Sequence, residues 1–228
     1  MTATLEELAR KYSSDKLYWH SYIPIYESLF HGGHLWKPMP GSDAPGAGPA
    51  LSSFFYCQIC RYRNDSPEIP PCINKGVEVR RLLEIGIGFK DLMQPFLPAG
   101  VEYVHGSSLK MWEEFFPEAE IFACDIREDA LINEGRIRSM ICDQSSPFDL
   151  GIMCGVFGLI YDVIIDDGSH QYEQQRLSAR MLLKYSNPSL YVIEDVWEDT
   201  GLLLAQEFNG QLIRGEKGRD DNMVVIRK

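Results

Sequence analysis

The chain has 228 residues, of which 45% are apolar and 11% aromatic, enough for one full-sized domain with a modest insertion and too many for global disorder. Its 33 Asp and Glu against 22 Lys and Arg leave a formal charge of −11. That balance speaks against nucleic acid or an anionic membrane as partner, because phosphates are held by Lys and Arg. No apolar run reaches the ~18–20 residues of a membrane span. The opening MTATLEELARKY is charged and helical rather than a secretory leader, and six scattered Cys make no disulfide framework. A cytoplasmic, acidic globular protein is expected.

In chain order, TLEELARKY predicts a helix, with Thr4 three residues before Glu7 as a capping box. SYIPIYESLF predicts a second helix, with Ile23, Tyr26, Leu29 and Phe30 at helical spacing and Pro24 in its first turn. SSDKLYWH between them reads as a loop folded over something. Residues 31–50 are crowded with Gly and Pro and read as an exposed loop, in which His31 and His34 are expected to be solvated. Phe54, Phe55, Tyr56 and Ile59 follow and predict a short packed element. Cys57 and Cys60 form a C-x-x-C with Cys72 beyond. No second C-x-x-C or His pair completes a zinc set, so the motif reads as coincidence.

From Val79 the pattern becomes regular. VRRLLEIG, EIFACDI, RIRSMIC, YDVIIDD and SLYVIED are short apolar runs ending at a carboxylate or Gly. SLKMWEEFF, HQYEQQRLSARMLLKY and GLLLAQEF between them are amphipathic. Continuous apolar strands alternating with helices predict a mostly parallel sheet covered on both faces. GQLIRGE and DNMVVIRK predict a terminal antiparallel hairpin turned at GRDDN. The expected division is a helical lid segment over 1–35, a Pro/Gly-rich insertion over 36–78 and an α/β domain over 79–228.

Ligands of such sheets bind beyond the carboxyl ends of the strands. Glu84, Asp125, Asp143, Asp166, Asp167, Glu194 and Asp195 all stand at or beside predicted strand ends. In LLEIGIGF, Gly86 and Gly88 let the backbone turn and approach a ligand. Asp91 breaks the pattern of a dinucleotide fingerprint, and a carboxylate before the glycines suits a cationic ligand group. Asp125 can accept hydrogen bonds from both hydroxyls of a ribose; otherwise it caps the turn that follows. Residues 89–106 are expected to be an extended loop lining the site, together with the helix start at Gly106-Ser107. In IIDDGSH, Asp167 is a candidate metal ligand and His170, with an ordinary pKa near ~6.5, a candidate general base. If the strand of YVIEDVW neighbours that of IIDD, then Asp167, Glu194 and Asp195 converge. Three carboxylates would repel unless a cation sat among them, and oxygen ligands select Mg²⁺, Ca²⁺ or Mn²⁺.

Together these motifs resemble the class I S-adenosylmethionine-dependent methyltransferases, and more narrowly the metal-dependent sugar O-methyltransferases of the macrocin and mycinamicin type. SSDKLYWHSYIPIYESLF resembles that family's D-K…H-x-Y-x-P-x-Y-E segment. LLEIGIG with GSSLKMWEEFFPEAEIFACDI resembles its cofactor block, IRSMICDQS its third-strand element, and DVIIDDGSHQYEQQ with LYVIED its two metal-site strands. The resemblance implies a Rossmann-like sheet that binds S-adenosylmethionine and transfers its methyl group to a hydroxyl of a sugar or glycoconjugate. It places Glu84, Gly86 and Gly88 at the methionine end of the cofactor and Asp125 at the ribose. Asp143 and Gln144 fall at the adenine, and Ser107 and Asp166 in the cofactor set. Asp167, Glu194 and Asp195 would hold Mg²⁺ or another hard divalent cation, with His170 as base. Tyr18, His20 and Tyr22 would belong to a closing segment. Oligomers are usual for that family, and the aromatics of 51–62 could build such an interface or cap the core. Residues 36–78 and FKDLMQPFLPAGVEYVHG depart from its wording. Two other readings share the sheet: a catechol-type methyltransferase of a small phenol, and a catalytically silent binding subunit. A facial-triad oxygenase needs two His, and only His170 lies among the acids.

Overall fold

The computed structural model describes residues 3–38, 55–60, 72, 74–218 and 220–228. Most of the Gly/Pro-rich stretch, Phe54 and residues 61 and 62 lie outside the described residues. The chain divides into two compact units, one of Met1–Ile23 with Glu78–Lys228 and one of Pro24–Val77. The breaks expected at 35/36 and 78/79 thus fall at 23/24 and 77/78, and the first helices belong to the α/β unit.

That unit opens with α1 (Leu5–Lys11), whose predicted capping box forms: Glu7 N–H donates to Thr4 Oγ1 and Thr4 N–H to Glu7 Oε2. A short α2 (Asp15–Tyr18) follows, and α3 (Tyr22–His31) begins in this unit and continues beyond Ile23. In the second unit, β1 (Trp36–Pro38) pairs antiparallel with β2 (Phe55–Cys57), with Trp36 opposite Cys57. Asn74 ties this unit's chain ends together: its carbonyl accepts from Gly33 N–H at 2.9 Å and its amide donates to Gly33 O at 3.2 Å.

The α/β unit continues with β3 (Arg81–Ile85), α4 (Lys90–Met93), α5 (Ser107–Phe115), β4 (Glu120–Asp125), β5 (Ile137–Ile141), α6 (Pro147–Phe157) and β6 (Val163–Asp166). Then come α7 (Tyr172–Tyr185), β7 (Leu190–Ile193), α8 (Glu198–Glu207), β8 (Gln211–Arg214) and β9 (Asn222–Arg227). Among the described residues, seven strands form one sheet in the order β5-β4-β3-β6-β7-β9-β8, parallel through β7, with β9 antiparallel to both β7 and β8. On one face Leu83, Ile85, Phe122, Ile164 and Ile193 pack with Leu150 of α6, Leu182 of α7 and Leu204 of α8. On the other, Trp112 of α5 reaches Glu84 of β3.

Two expectations are corrected, and one helix was not anticipated. Residues 89–106 are not wholly extended, because α4 and a 3₁₀ turn at Gln94–Phe96 form within them. The terminal hairpin does not turn tightly at GRDDN. Its loop is gathered around Asp221, whose Oδ2 accepts from the N–H groups of Glu216 and Lys217. The helix α6 has no sequence period to announce it, being apolar all round, and is started by Ser146 Oγ accepting from Asp149 N–H with Pro147 in its first turn.

Candidate active site

Strand order reverses between β3, which continues to β4, and β6, which continues to β7; the crevice of such a sheet opens at that point. Register sets what faces it. Ile85 pairs with both Cys124 and Asp166, and Asp166 pairs with Ile193, so Gly86, Asp125, Asp167 and Glu194 follow at one level across four strands. A cleft of about 450 Å³ lies there. Gly86, Gly88, Ser107, Asp125, Asp143, Gln144, Asp167, His170 and Asp195 all line it.

The glycine turn is forced by close packing. Gly86 has φ +92°, and a Cβ there would stand 2.0 Å from the carbonyl oxygen of Asp167. Asp125 holds the turn from the side, its Oδ2 accepting from Ile87 N–H at 2.9 Å and Gly88 N–H at 3.3 Å. Asp143 accepts from both N–H and Oγ of Ser145, which hold its pKa below the ordinary value. Gln144 bridges two strand ends, accepting from Ser169 N–H at 3.0 Å and donating to Asp166.

Glu84, Asp166 and Glu194 are not on the cleft wall. Successive strand residues point to opposite faces, so Asp167 meets the cleft while Asp166 turns beneath it toward Ser178 of α7 and Tyr191 of β7. Burial pushes Asp166 up to about 6. Glu84 is likewise wholly buried, accepting from Trp112 Nε1 at 2.9 Å, and burial pushes it up to about 7.

Glu194 lies against a residue the sequence did not single out. Lys16 is wholly buried, with Nζ 2.6 Å from Glu194, 2.7 Å from Asp167 and 3.3 Å from Glu84. This lysine supplies the counter-charge for three carboxylates at once. Burial opposes ionisation of Asp167, yet Lys16 and His170 hold it well below the usual carboxylate range. Burial raises Glu194 well above it.

The groups that face one another in the open part of the cleft are Asp167, His170 and Asp195, whose ligand atoms all lie within 4.8 Å of one another. His170 Nε2 is 3.3 Å from Asp167 and Nδ1 3.4 Å from Asp195. Burial opposes the imidazolium, but the bond to Asp167 and the charge of Asp195 outweigh it and raise His170 to about 9. Burial and the charge of Asp167 push Asp195 up to about 6. Both His170 (φ +56°) and Asp195 (φ +55°) hold left-handed backbone that side chains other than Gly seldom adopt, a strain that tends to gather at functional sites.

The predicted closing segment meets this cluster. Tyr22 donates to Asp195 Oδ1 at 2.6 Å, and His20 stacks on Tyr22 with Nε2 3.5 Å from Asp195 and Nδ1 3.4 Å from Asp221. Tyr18 is not among the cleft residues, whereas Asp15 and Trp19 are. Opposite, Phe89, Leu92, Met93 and Phe96 form an apolar wall, with Phe96 against Trp19 at 4.9 Å between ring centroids.

This strand order, with helices on both faces and β9 running antiparallel between β7 and β8, decides the architecture. The fold is that of the class I methyltransferases. The methyltransferase MycE of the mycinamycin biosynthetic pathway, in complex with Mg and SAH, superposes with a TM-score of 0.60 at 23% identity, covering 100% of this chain and 56% of that one. MycE with Mg, SAH and mycinamycin VI gives a TM-score of 0.61 at 24% identity, covering 100% and 54%. By sequence the chain is 38% identical over 120 residues to demethylmacrocin O-methyltransferase of Streptomyces fradiae, which is 51% of this chain and 27% of that protein. It is 37% identical over 122 residues to mycinamicin VI 2''-O-methyltransferase of Micromonospora griseorubida, again 51% and 27%. The match thus spans about a quarter of the length of these curated relatives. No family model matches the chain. Among the described residues of this methyltransferase fold, no helix is long and apolar enough to cross a membrane.

Proposed function

We propose that the chain is an S-adenosylmethionine-dependent O-methyltransferase that requires a hard divalent cation and acts on a hydroxyl of a sugar or glycoconjugate. The observation that carries this is the convergence of Asp167, His170 and Asp195 at the mouth of a cleft floored by the Gly86–Gly88 turn. The names of the sugar O-methyltransferases that it resembles support the choice of acceptor.

The residues fit both groups. The glycine turn admits close approach of a ligand to the backbone. Asp125, although it holds that turn, keeps acceptor sites for ribose hydroxyls, since a carboxylate offers about four lone pairs. The apolar wall of Phe89, Leu92, Met93 and Phe96 suits the flat faces of a nucleoside. Asp167 and Asp195 face each other across His170, and two carboxylates brought so close favour a cation held between their oxygens. Glu194 is buried off the cleft wall while Asp167 and Asp195 line it, so the cation would rest chiefly on Asp167 and Asp195, with Glu194 fixing the geometry behind them.

When bound, the cofactor supplies a methyl group on a sulfonium, and the cation acidifies and orients the acceptor hydroxyl. His170, which lines the cleft beside Asp167 and Asp195, would take the proton from that hydroxyl as the methyl group is transferred. Asp167 and Asp195 hold a proton on His170, which would be freed to act as a base once those carboxylates were engaged in holding a cation. Tyr22 and His20 keep Asp195 in place, and the 15–20 segment with Trp19 covers the cleft.

The test is methyl transfer from labelled cofactor to glycosylated acceptors with and without Mg²⁺. His170→Ala should lower turnover by about 10²–10⁴ with cofactor affinity little changed. Asp167→Ala should abolish the metal-dependent rate. A fully active Asp167→Ala variant would refute the metal assignment, and activity surviving His170→Ala would favour a phenolic acceptor.

A further inference from the structure

We propose that His34, Cys57, Cys60 and Cys72, all within the unit of Pro24–Val77, form a structural zinc site. Their ligand atoms, one imidazole nitrogen and three sulfurs, lie within 4.8 Å of one another. His34 Nδ1 is 3.4 Å from Cys60 Sγ, and Cys57 Sγ is 4.0 Å from Cys72 Sγ. A tetrahedral zinc with Zn–S near 2.3 Å and Zn–N near 2.0–2.1 Å has edges of about 3.8 Å between sulfurs and about 3.6 Å between nitrogen and sulfur. Both measured edges sit close to those values. A disulfide needs about 2.05 Å between sulfurs, and none of the six cysteines is in one.

Three separate pieces of chain are held so that these donors meet. The pairing of β1 with β2 sets Trp36 opposite Cys57, and Gln58 N–H extends it by donating to Leu35 O at 2.8 Å. That register brings His34 up to the turn of residues 58–60. The His34 ring is fixed by stacking on Trp36 at 4.5 Å. Within the C-x-x-C turn, Cys60 N–H points at Cys57 Sγ at 3.5 Å, the kind of donor that steadies a thiolate. The third piece is anchored by Asn74, two residues after Cys72, through its paired hydrogen bonds with Gly33. Close approach there depends on Gly32, where a Cβ would stand 2.8 Å from Asn74 O.

The donor chemistry selects the metal. Three thiolates and one imidazole, with no carboxylate in the set, are a closed tetrahedral shell suited to structural zinc and unlike the oxygen-rich cluster of the cleft. The unit is small, Gly- and Pro-rich and built on two three-residue strands, and small units of that kind commonly depend on a metal or disulfide staple. The sequence obscured the site because the fourth ligand, His34, lies 23 positions before Cys57 rather than in a second paired motif.

The test uses the full chain, purified under reducing conditions and with no cofactor. Metal analysis should find one zinc per chain, and titration with an organomercurial should release it. Cobalt-substituted protein should show, beside tetrahedral visible bands, a thiolate-to-cobalt charge-transfer band, which the sulfur-free cleft cluster cannot produce. The band should be lost or strongly reduced in Cys60→Ser and in Cys72→Ser. Folded wild-type chain that holds no zinc and gives no such band overturns the proposal, as does a band unchanged in the Cys60→Ser, Cys72→Ser double variant. Should these variants fail to fold, the wild-type spectrum and the mercurial release decide. None of these readouts depends on methyl transfer.

Discussion

Replacing Lys16 by Met tests the electrostatic design of the cleft more sharply than any other single change. The substitution keeps the length of the side chain and removes a wholly buried charge that touches Asp167 at 2.7 Å, Glu194 at 2.6 Å and Glu84 at 3.3 Å. Breaking a buried ion pair on one side costs about 3–5 kcal/mol. Proton uptake caps that cost. With the other two carboxylates already pushed upward by burial, Asp167 is the group that loses most. Keeping it protonated at pH 7 from an ordinary pKa near 3.9 costs about 4 kcal/mol. The loss should therefore be about 3–4 kcal/mol at pH 7. The folded variant then binds a proton that its unfolded chain releases, so its stability rises as pH falls. Relative to wild type, the deficit should shrink by about 1.4 kcal/mol per pH unit between pH 7 and 5. Urea unfolding of chelator-treated protein at pH 5, 6 and 7 measures this. A deficit below about 1 kcal/mol, or one that does not change with pH, would refute the role given to Lys16.

Gly86→Ala should destabilise by more than about 2 kcal/mol and weaken cofactor binding at least about tenfold, because it adds positive-φ strain to a 2.0 Å clash with the Asp167 carbonyl; thermal unfolding with and without cofactor checks both. Burial works against ionisation of Asp221, but the neighbouring His20 and the hydrogen bonds that it accepts from Ser21 N–H and Oγ and from the N–H groups of Glu216 and Lys217 hold it well below the usual carboxylate range. Asp221→Ala should cost about 2–4 kcal/mol at pH 7. Because the folded pKa is depressed, that stabilisation is full above the ordinary value near ~3.9 and fades as pH falls further. The gap between wild type and variant should hold from pH 7 to 5 and narrow below pH 4 in denaturant titrations. Asp125→Ala frees the Ile87 and Gly88 N–H groups and should weaken cofactor binding by about 10–100-fold in calorimetry while leaving Mg²⁺ affinity unchanged.

The sheet was legible because each strand is a short β-branched run with its own carboxylate or Gly stop, and neighbouring strand ends then follow from parallel register. Convergence of Asp167, Glu194 and Asp195 could be expected on that ground. The sides taken by Asp166 and Glu194 could not be assigned, since a one-residue step reverses the direction of a strand residue. Lys16, although part of the D-K pair in SSDKLYWH, was given no role for another reason. It lies 151 residues from Asp167 and 178 from Glu194, and nothing in that polar stretch signals that its lysine is buried. The helix α6 escaped because PFDLGIMCGVF has neither a polar face nor a period, and the structure leaves Phe148, Ile152 and Val156 exposed on it. The left-handed backbone of His170 and Asp195 is likewise set by packing rather than by residue type.

The central claim is that the cleft at the strand-order switch holds S-adenosylmethionine beside a cation site. Calorimetric titration of the folded chain with S-adenosylmethionine in Mg²⁺ buffer tests it most directly. Saturable one-to-one binding, weakened in Gly86→Ala and Asp125→Ala, is the predicted result. A folded chain that takes up no S-adenosylmethionine would contradict the claim and leave the Asp167–His170–Asp195 cluster to serve some other ligand.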